Sequence, residues 1–103
     1  MSFGQSEVAS WQRLTVSGVV GDSGKAIDVV GYTIKSGSTA AVVSFLNGTS
    51  TAAPLAWADQ ARATSAEQSI TLAYPTRTSS GLFVSFDANT SAVSVFYRQV
   101  MGA

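Results

Sequence analysis

Hydrophobic and polar residues alternate along most of the chain, and the alternation is clearest in residues 80–98. Two apolar runs flank a short polar turn there, and in each run every second residue lies on the same face. The apolar residues of these two faces are Leu82, Val84, Phe86, Val93, Val95 and Tyr97. Because a period of two is typical of half-buried strands, this stretch predicts a β-hairpin that closes a small β-domain.

Five earlier segments carry the same kind of pattern and end in turn residues such as Asn47-Gly48. They are residues 11–20, 26–35, 39–46, 56–62 and 69–74. The fourth is rich in Ala, so one or two helical turns are an alternative to a strand there. Pro75 lacks a backbone donor and predicts a strand end or a sheet edge. Together the segments predict an all-β fold, an antiparallel β-sandwich or jelly-roll-like domain of about seven strands.

The 103 residues are enough for one domain with its own core. Residues 1–10 show no sustained period, and we expect them to form a short N-terminal arm. Residues 11–103 are then the single β-sandwich domain.

Charge is sparse and balanced, which narrows the classes of partner. Charged residues make up 12% of the chain, six basic and six acidic, and none of them is clustered. Nucleic acid is therefore not an expected partner, because counterion release requires clustered Lys and Arg. No apolar run is long enough to span a bilayer and no secretory signal opens the chain, so we expect no membrane partner and synthesis in the cytoplasm.

Reactive side chains are scarce as well. The sequence has no His and no Cys, so it lacks the usual general base, the thiol nucleophile and the common zinc ligands. Asp28 is the one carboxylate predicted within a strand, and its expected role is a surface ion pair with Lys or Arg. The glycines around Lys25 do not match the spacing of a phosphate-binding loop and predict a turn. We predict no catalytic residue, no cofactor, no metal and no enzymatic activity.

Short motifs in the second half resemble small β-domains of tailed-bacteriophage virion structural proteins. They are the Ile70-x-Leu72 strand, Ser80-Gly-Leu-Phe-Val84, Val93-Ser-Val-Phe-Tyr97, and Val43 to Ser50 before a Thr/Ala-rich loop. Within that group the chain is most similar to head decoration (cement) proteins. The resemblance implies a homotrimer on the capsid exterior, bound between subunits of the major capsid protein and stabilising the head. A head- or tail-fibre or receptor-binding domain, and a carbohydrate-binding module, remain open alternatives.

If the chain acts as such a clamp, apolar residues of the arm and the adjoining strand are the expected anchors. We predict Phe3, Val8 and Trp11 as these anchors, with Arg13 as a polar partner. Trp57 has mixed polar and apolar neighbours, as at the rim of a binding patch. It is predicted to be a further contact residue, with a core position as the alternative.

Overall fold

The computed structural model describes residues 9–37, 41–61 and 67–100, which form eight strands and no helix. In chain order the strands are β1 (Ala9–Leu14), β2 (Gly18–Val20), β3 (Ile27–Ser36), β4 (Ala41–Asn47), β5 (Leu55–Ala61), β6 (Glu67–Thr78), β7 (Leu82–Phe86) and β8 (Thr90–Gln99). They form two four-stranded antiparallel sheets. Sheet A has the order β1-β8-β3-β6, and sheet B has the order β2-β7-β4-β5.

This strand order is that of an eight-stranded jelly roll. The first strand pairs with the last, the second with the seventh, the third with the sixth and the fourth with the fifth. Two further pairings, β3 with β8 and β4 with β7, join these pairs into the two sheets. The predicted all-β sandwich or jelly-roll-like fold is confirmed.

The core lies between the two sheets and contains Leu82, Val84, Val93 and Val95, which the alternation in residues 80–98 placed on the two apolar faces. Its largest fully buried apolar side chains are Phe45, Ile27, Ile34, Leu82, Val20, Val29, Val43, Val84, Val93 and Val95. Burial of each such side chain stabilises the fold by roughly 1.5–3 kcal/mol relative to exposure. Both sheets contribute about equally, so neither is stable as a separate layer.

The predicted hairpin of residues 80–98 is wrong in its pairing, although its faces are right. β7 belongs to sheet B and β8 to sheet A, so the two strands face each other across the core and share no ladder. The turn between them is closed by Thr90 N, which donates to Asp87 O at 3.1 Å, and by Asn89 N, which donates to Asp87 Oδ1 at 3.0 Å. Alternation specifies which side of a strand is buried but not which strand lies beside it.

Residues 11–20, predicted as one strand, are two strands in different sheets. The crossing is held by Ser17, whose hydroxyl donates to Phe86 O at 3.0 Å and accepts from Phe86 N at 2.9 Å. Gln12 holds the other side, because its amide donates to Val19 O and accepts from Gly21 N. Side chains thus replace the ladder hydrogen bonds that the crossing removes.

The Ala-rich segment is a strand, β5, and the helical alternative is wrong. Opposite β4, Trp57 pairs with Phe45 and Leu55 pairs with Leu46, so Ala56 is an extra, bulged residue. Leu55 and Trp57 consequently point to opposite sides of sheet B, where an unbroken alternation would have placed them on one face.

β6 continues through Pro75 to Thr78, so the predicted strand end at that proline is wrong. The alternative prediction of a sheet edge is confirmed, since β6 is the outer strand of sheet A. At the other side of the sheet, β1 begins at Ala9, within the segment predicted to be the arm. Residues 1–8 lie outside the described residues.

Candidate functional site

The outward face of sheet A carries a row of side chains that crosses all four strands. Trp11 of β1, Phe96 of β8, Gly31 of β3 and Thr71 of β6 are neighbours in register. Trp11 is 63% exposed and Phe96 is 41% exposed. Opposite residues of paired strands have Cβ atoms about 4.5–5.5 Å apart, so Trp11 and Phe96 project from neighbouring positions of the surface.

A groove of about 540 Å³ opens beside Phe96 on the same face. Gly31 is part of its lining, and beside Gly31 the register between β3 and β6 is irregular, with Val30 opposite residues 72–75 of β6. A Cβ at position 31 would lie 2.7 Å from the carbonyl oxygen of Ile70, so the close approach of β3 and β6 requires glycine.

A second hollow of about 290 Å³ adjoins the first and shares Thr33 with it. Its lining is Trp11, Arg13, Thr33, Lys35, Ala92 and Ser94. Both hollows are therefore lined by an exposed aromatic ring, hydroxyl groups and at least one basic side chain, and the larger groove also has the apolar residues Val30, Ile70, Leu72 and Pro75 in its lining. This combination offers apolar stacking together with hydrogen-bond donors and acceptors.

Basic residues are concentrated on this face of sheet A. Four of the six in the chain are found there, namely Arg13, Lys35, Arg77 and Arg98. Asp28 lies between Arg77 and Arg98 in the register and forms a bidentate ion pair with Arg77, at 2.7 and 3.0 Å. These contacts confirm the predicted surface ion pair, and the hydrogen bond from Arg77 lowers the pKa of Asp28.

The outward face of sheet B differs from that of sheet A in its polarity and charge. An apolar row crosses its four strands, because the register aligns Val19, Phe83, Leu46 and Leu55. The next positions on this face are Ser85, Ser44, Ala58, Val42 and Gln60. Leu55 is 62% exposed and Val42 is 50% exposed. Among the described side chains of this face, none is charged.

An aromatic cluster with one carboxylate joins the sheets from inside. Trp57 stacks on Phe45 with ring centroids 4.6 Å apart and planes 10° from parallel, and Tyr32 packs against both rings. The Tyr32 hydroxyl donates to Asp59 Oδ2 at 2.8 Å. Burial, with the hydrogen bond to Asp59 and its charge, raises the pKa of Tyr32 to about 12. The pair links β3 of sheet A to β5 of sheet B.

The structure brings only two of the predicted contact residues together. Trp11 and Arg13 lie on the outward face of sheet A and line one hollow. Trp57 is half-buried and packs on Phe45 toward the core, so it shares no surface with Trp11. Phe3 and Val8 lie outside the described residues, and their contact roles stay predictions.

Among the residues that the structure describes, four large exposed apolar ones were not predicted as contact residues, namely Val16, Val42, Leu55 and Phe96. Val42, Leu55 and Phe96 lie on the faces described above, and an unbroken alternation would place Leu55 on the same face as Trp57. The alternation did indicate that Phe96 points outward, since Phe96 falls on the face opposite Val93, Val95 and Tyr97. It gave no sign of the bulge that turns Leu55 outward.

The described part of the chain contains no group of three or more His, Cys, Asp or Glu side chains arranged to hold a metal ion. It also contains no helix of sufficient length and hydrophobicity to cross a membrane. Comparison of the chain with models of protein families, with curated proteins and with solved structures found no match.

Proposed function

We propose that the protein is a non-enzymatic structural protein of a virion, a decoration protein on the capsid exterior. In this role it binds between subunits of the major capsid protein and stabilises the head. The observation that carries the proposal is the uncharged apolar row on the outward face of sheet B, formed by Val19, Phe83, Leu46 and Leu55. Within the row Leu55 is exposed, Val19 and Phe83 are partly buried and Leu46 is buried, and Val42 is a second exposed apolar side chain on the same face. Exposed apolar side chains grouped on one uncharged face mark a site of protein contact.

The fold supports the same proposal by analogy. Eight-stranded jelly rolls are used in viral capsid domains, and also in lectins and other proteins, so the fold alone does not select a function. The motifs that resemble phage virion β-domains lie in β4, β6, β7 and β8 and add to this analogy.

The size of the apolar face indicates how attachment would be organised. Four strands about 4.8 Å apart, averaging five to six residues of about 3.3 Å, give a face of roughly 350 Å². A standard protein interface buries about 800 Å² per partner. Sheet B alone is therefore too small for stable attachment. Additional contacts from residues 1–8 or from a trimer of copies would raise the effective concentration of each weak contact.

The first experiment is immunogold labelling of virus particles from the source culture with antibody against this chain. We expect regular label over the heads. Label on tails only, or none on particles, would overturn the proposal in favour of a fibre domain or a free binding module.

The second experiment tests sheet B directly, by co-sedimentation of purified protein with undecorated heads. Leu55→Lys and Val42→Lys each place a charge on the apolar face without disturbing the core, and we expect binding to fall at least about tenfold. Ser23→Lys, in the exposed turn after β2, is the matched control and should bind like the unchanged protein. Binding of the two sheet B variants at the control level would show that this face is not the contact surface.

Removal of residues 1–8 tests whether the predicted arm adds a contact with the head to the contact made by sheet B. If the arm contributes, the truncated protein keeps its thermal unfolding transition and binds heads more weakly. Unchanged binding would assign the whole interaction to the jelly roll and its copies.

A further inference from the structure

We infer that the outward face of sheet A binds an acidic oligosaccharide, in the groove and hollow beside Phe96 and Trp11. This inference is independent of the proposed function, because it concerns the opposite sheet and a ligand of a different class. It is argued from four features of that face: the exposed rings, the concave shape, the hydroxyl lining and the charge.

The two rings form an apolar platform that the fold does not need. Trp11 and Phe96 point away from the core, and neither belongs to the aromatic cluster around Phe45. The flat C–H faces of a sugar ring suit stacking on such rings. Exposure of two large aromatic side chains at adjacent register positions marks a contact surface.

The shape favours a small extended ligand over a protein. The larger groove has a volume of about 540 Å³, within the range of small-molecule sites of roughly 300–1,000 Å³. The smaller hollow of about 290 Å³ continues from it at Thr33. A chain of a few sugar rings fills both hollows in sequence, with Phe96 and Trp11 each beside one of them. A flat protein surface fills neither.

Hydroxyl groups line the path between the rings. Thr33 Oγ1 and Ser69 Oγ are 3.1 Å apart and hydrogen bond to each other, which uses one donor and leaves the other hydroxyl proton free. Thr71 and Ser94 line the two hollows at the neighbouring positions. Alternating donors and acceptors of this kind match the hydroxyl groups of a saccharide.

The charge of the face selects an anionic saccharide. Arg77 is paired with Asp28, which also lies beside Arg98 in the register. The basic side chains that line the hollows are Arg98 at the larger one and Arg13 and Lys35 at the smaller one. A guanidinium group binds a carboxylate by two parallel hydrogen bonds. These three cations are too few for the phosphate contacts that nucleic acid binding requires.

The test is isothermal titration of the full chain with a panel of oligosaccharides of four to six sugars. The acidic probes are oligogalacturonate, hyaluronan fragments and oligosialic acid, and the neutral probe is maltohexaose. A deoxythymidine decamer and oligoglutamate represent the two other anionic partners. We expect at least one acidic oligosaccharide to bind about tenfold or more tightly than maltohexaose, the DNA and the peptide.

Variants locate the site. Trp11→Ala and Phe96→Ala should each weaken binding of that oligosaccharide about tenfold, and Arg98→Gln about threefold or more. Lys25→Gln removes the same charge from an exposed turn, and Leu55→Ala removes an exposed apolar side chain from sheet B. Both controls should bind like the unchanged protein, and thermal unfolding confirms that each variant is folded.

Four results would overturn the inference. They are no binding of any acidic oligosaccharide at millimolar concentration, equal binding of maltohexaose, tighter binding of the DNA or the peptide, and controls that weaken binding as much as the sheet A variants do.

Discussion

The outward faces of the two sheets differ although they cover the same core. Sheet A presents Arg13, Arg98 and the Asp28–Arg77 ion pair around two exposed rings and a groove. Sheet B presents an apolar row with small and hydroxyl side chains and no charge among its described outward residues. Because the inward faces determine the stability of a sandwich, the outward faces are free to differ. The contrast teaches that a chain with no net charge can still have one charged and one uncharged surface.

The largest expected effect is on the free energy of unfolding, and it distinguishes a phenylalanine of the core from a phenylalanine of the surface. Phe45→Ala empties the centre of the core and should lower the free energy of unfolding by about 3–5 kcal/mol. Phe96→Ala removes the same side chain from the outward face of sheet A and should cost about 1 kcal/mol or less. Urea unfolding measures both. A cost for Phe96 close to that for Phe45 would make its ring structural and weaken its assignment to a ligand site.

A smaller loss of stability is expected when the hydrogen bond that joins the sheets is removed. Tyr32→Phe removes the donor to Asp59 and should cost about 1–2 kcal/mol at neutral pH. The folded-state pKa of Tyr32 is raised to about 12, above its ordinary value of 10.0. Its contribution to stability is therefore complete below pH 10 and is lost as the pH rises toward 12.

Urea unfolding at several alkaline pH values measures this dependence. Tyr32→Phe should unfold with a shallower loss of stability between pH 10 and pH 12 than the unchanged protein. Identical slopes would show that Tyr32 does not titrate differently in the folded and unfolded states.

Ionic strength should distinguish the two faces in binding. Raising salt from about 0.1 M to about 1 M shortens the screening length from about 10 Å to about 3 Å. Acidic oligosaccharide binding to sheet A should then weaken several-fold, whereas head binding through sheet B should not weaken. Titration and co-sedimentation at both salt concentrations provide the comparison. If salt weakened oligosaccharide binding and head binding equally, charge would not distinguish the two binding surfaces.

The smallest effect is expected at the ion pair of sheet A. Asp28→Asn should cost no more than about 1 kcal/mol, because the pair lies at the surface and Arg77 is largely exposed. The folded-state pKa of Asp28 is lowered from 3.8, so its contribution is present above that pH and is lost as the pH falls through the folded-state value. Thermal unfolding at pH 7 and at about pH 2 should therefore show a smaller difference between variant and unchanged protein at pH 2 than at pH 7.

The sequence by itself determined the fold class and the buried faces of two strands. Alternation in β7 and β8 identified the inward side chains, since a strand with one solvated and one buried face must alternate. In β3 an unbroken alternation would place Ile27 and Val29 opposite Tyr32 and Ile34, but the bulge at Val30 brings all four into the core. The absence of His and Cys, and the sparse charge, follow from the sequence alone. The surface pairing expected for Asp28 also followed, because an ionised side chain on a strand face finds a partner or water.

Tertiary structure alone decided which strands are neighbours and what the outward faces contain. The turn at Asp87 is compatible with a hairpin or with a crossing between sheets, and the crossing follows from the pairing of β7 with β2 and β4 and of β8 with β1 and β3. The apolar row of sheet B and the rings of sheet A each join residues from distant parts of the chain. Their alignment depends on register and on the bulges at Val30 and Ala56, which no local pattern specifies.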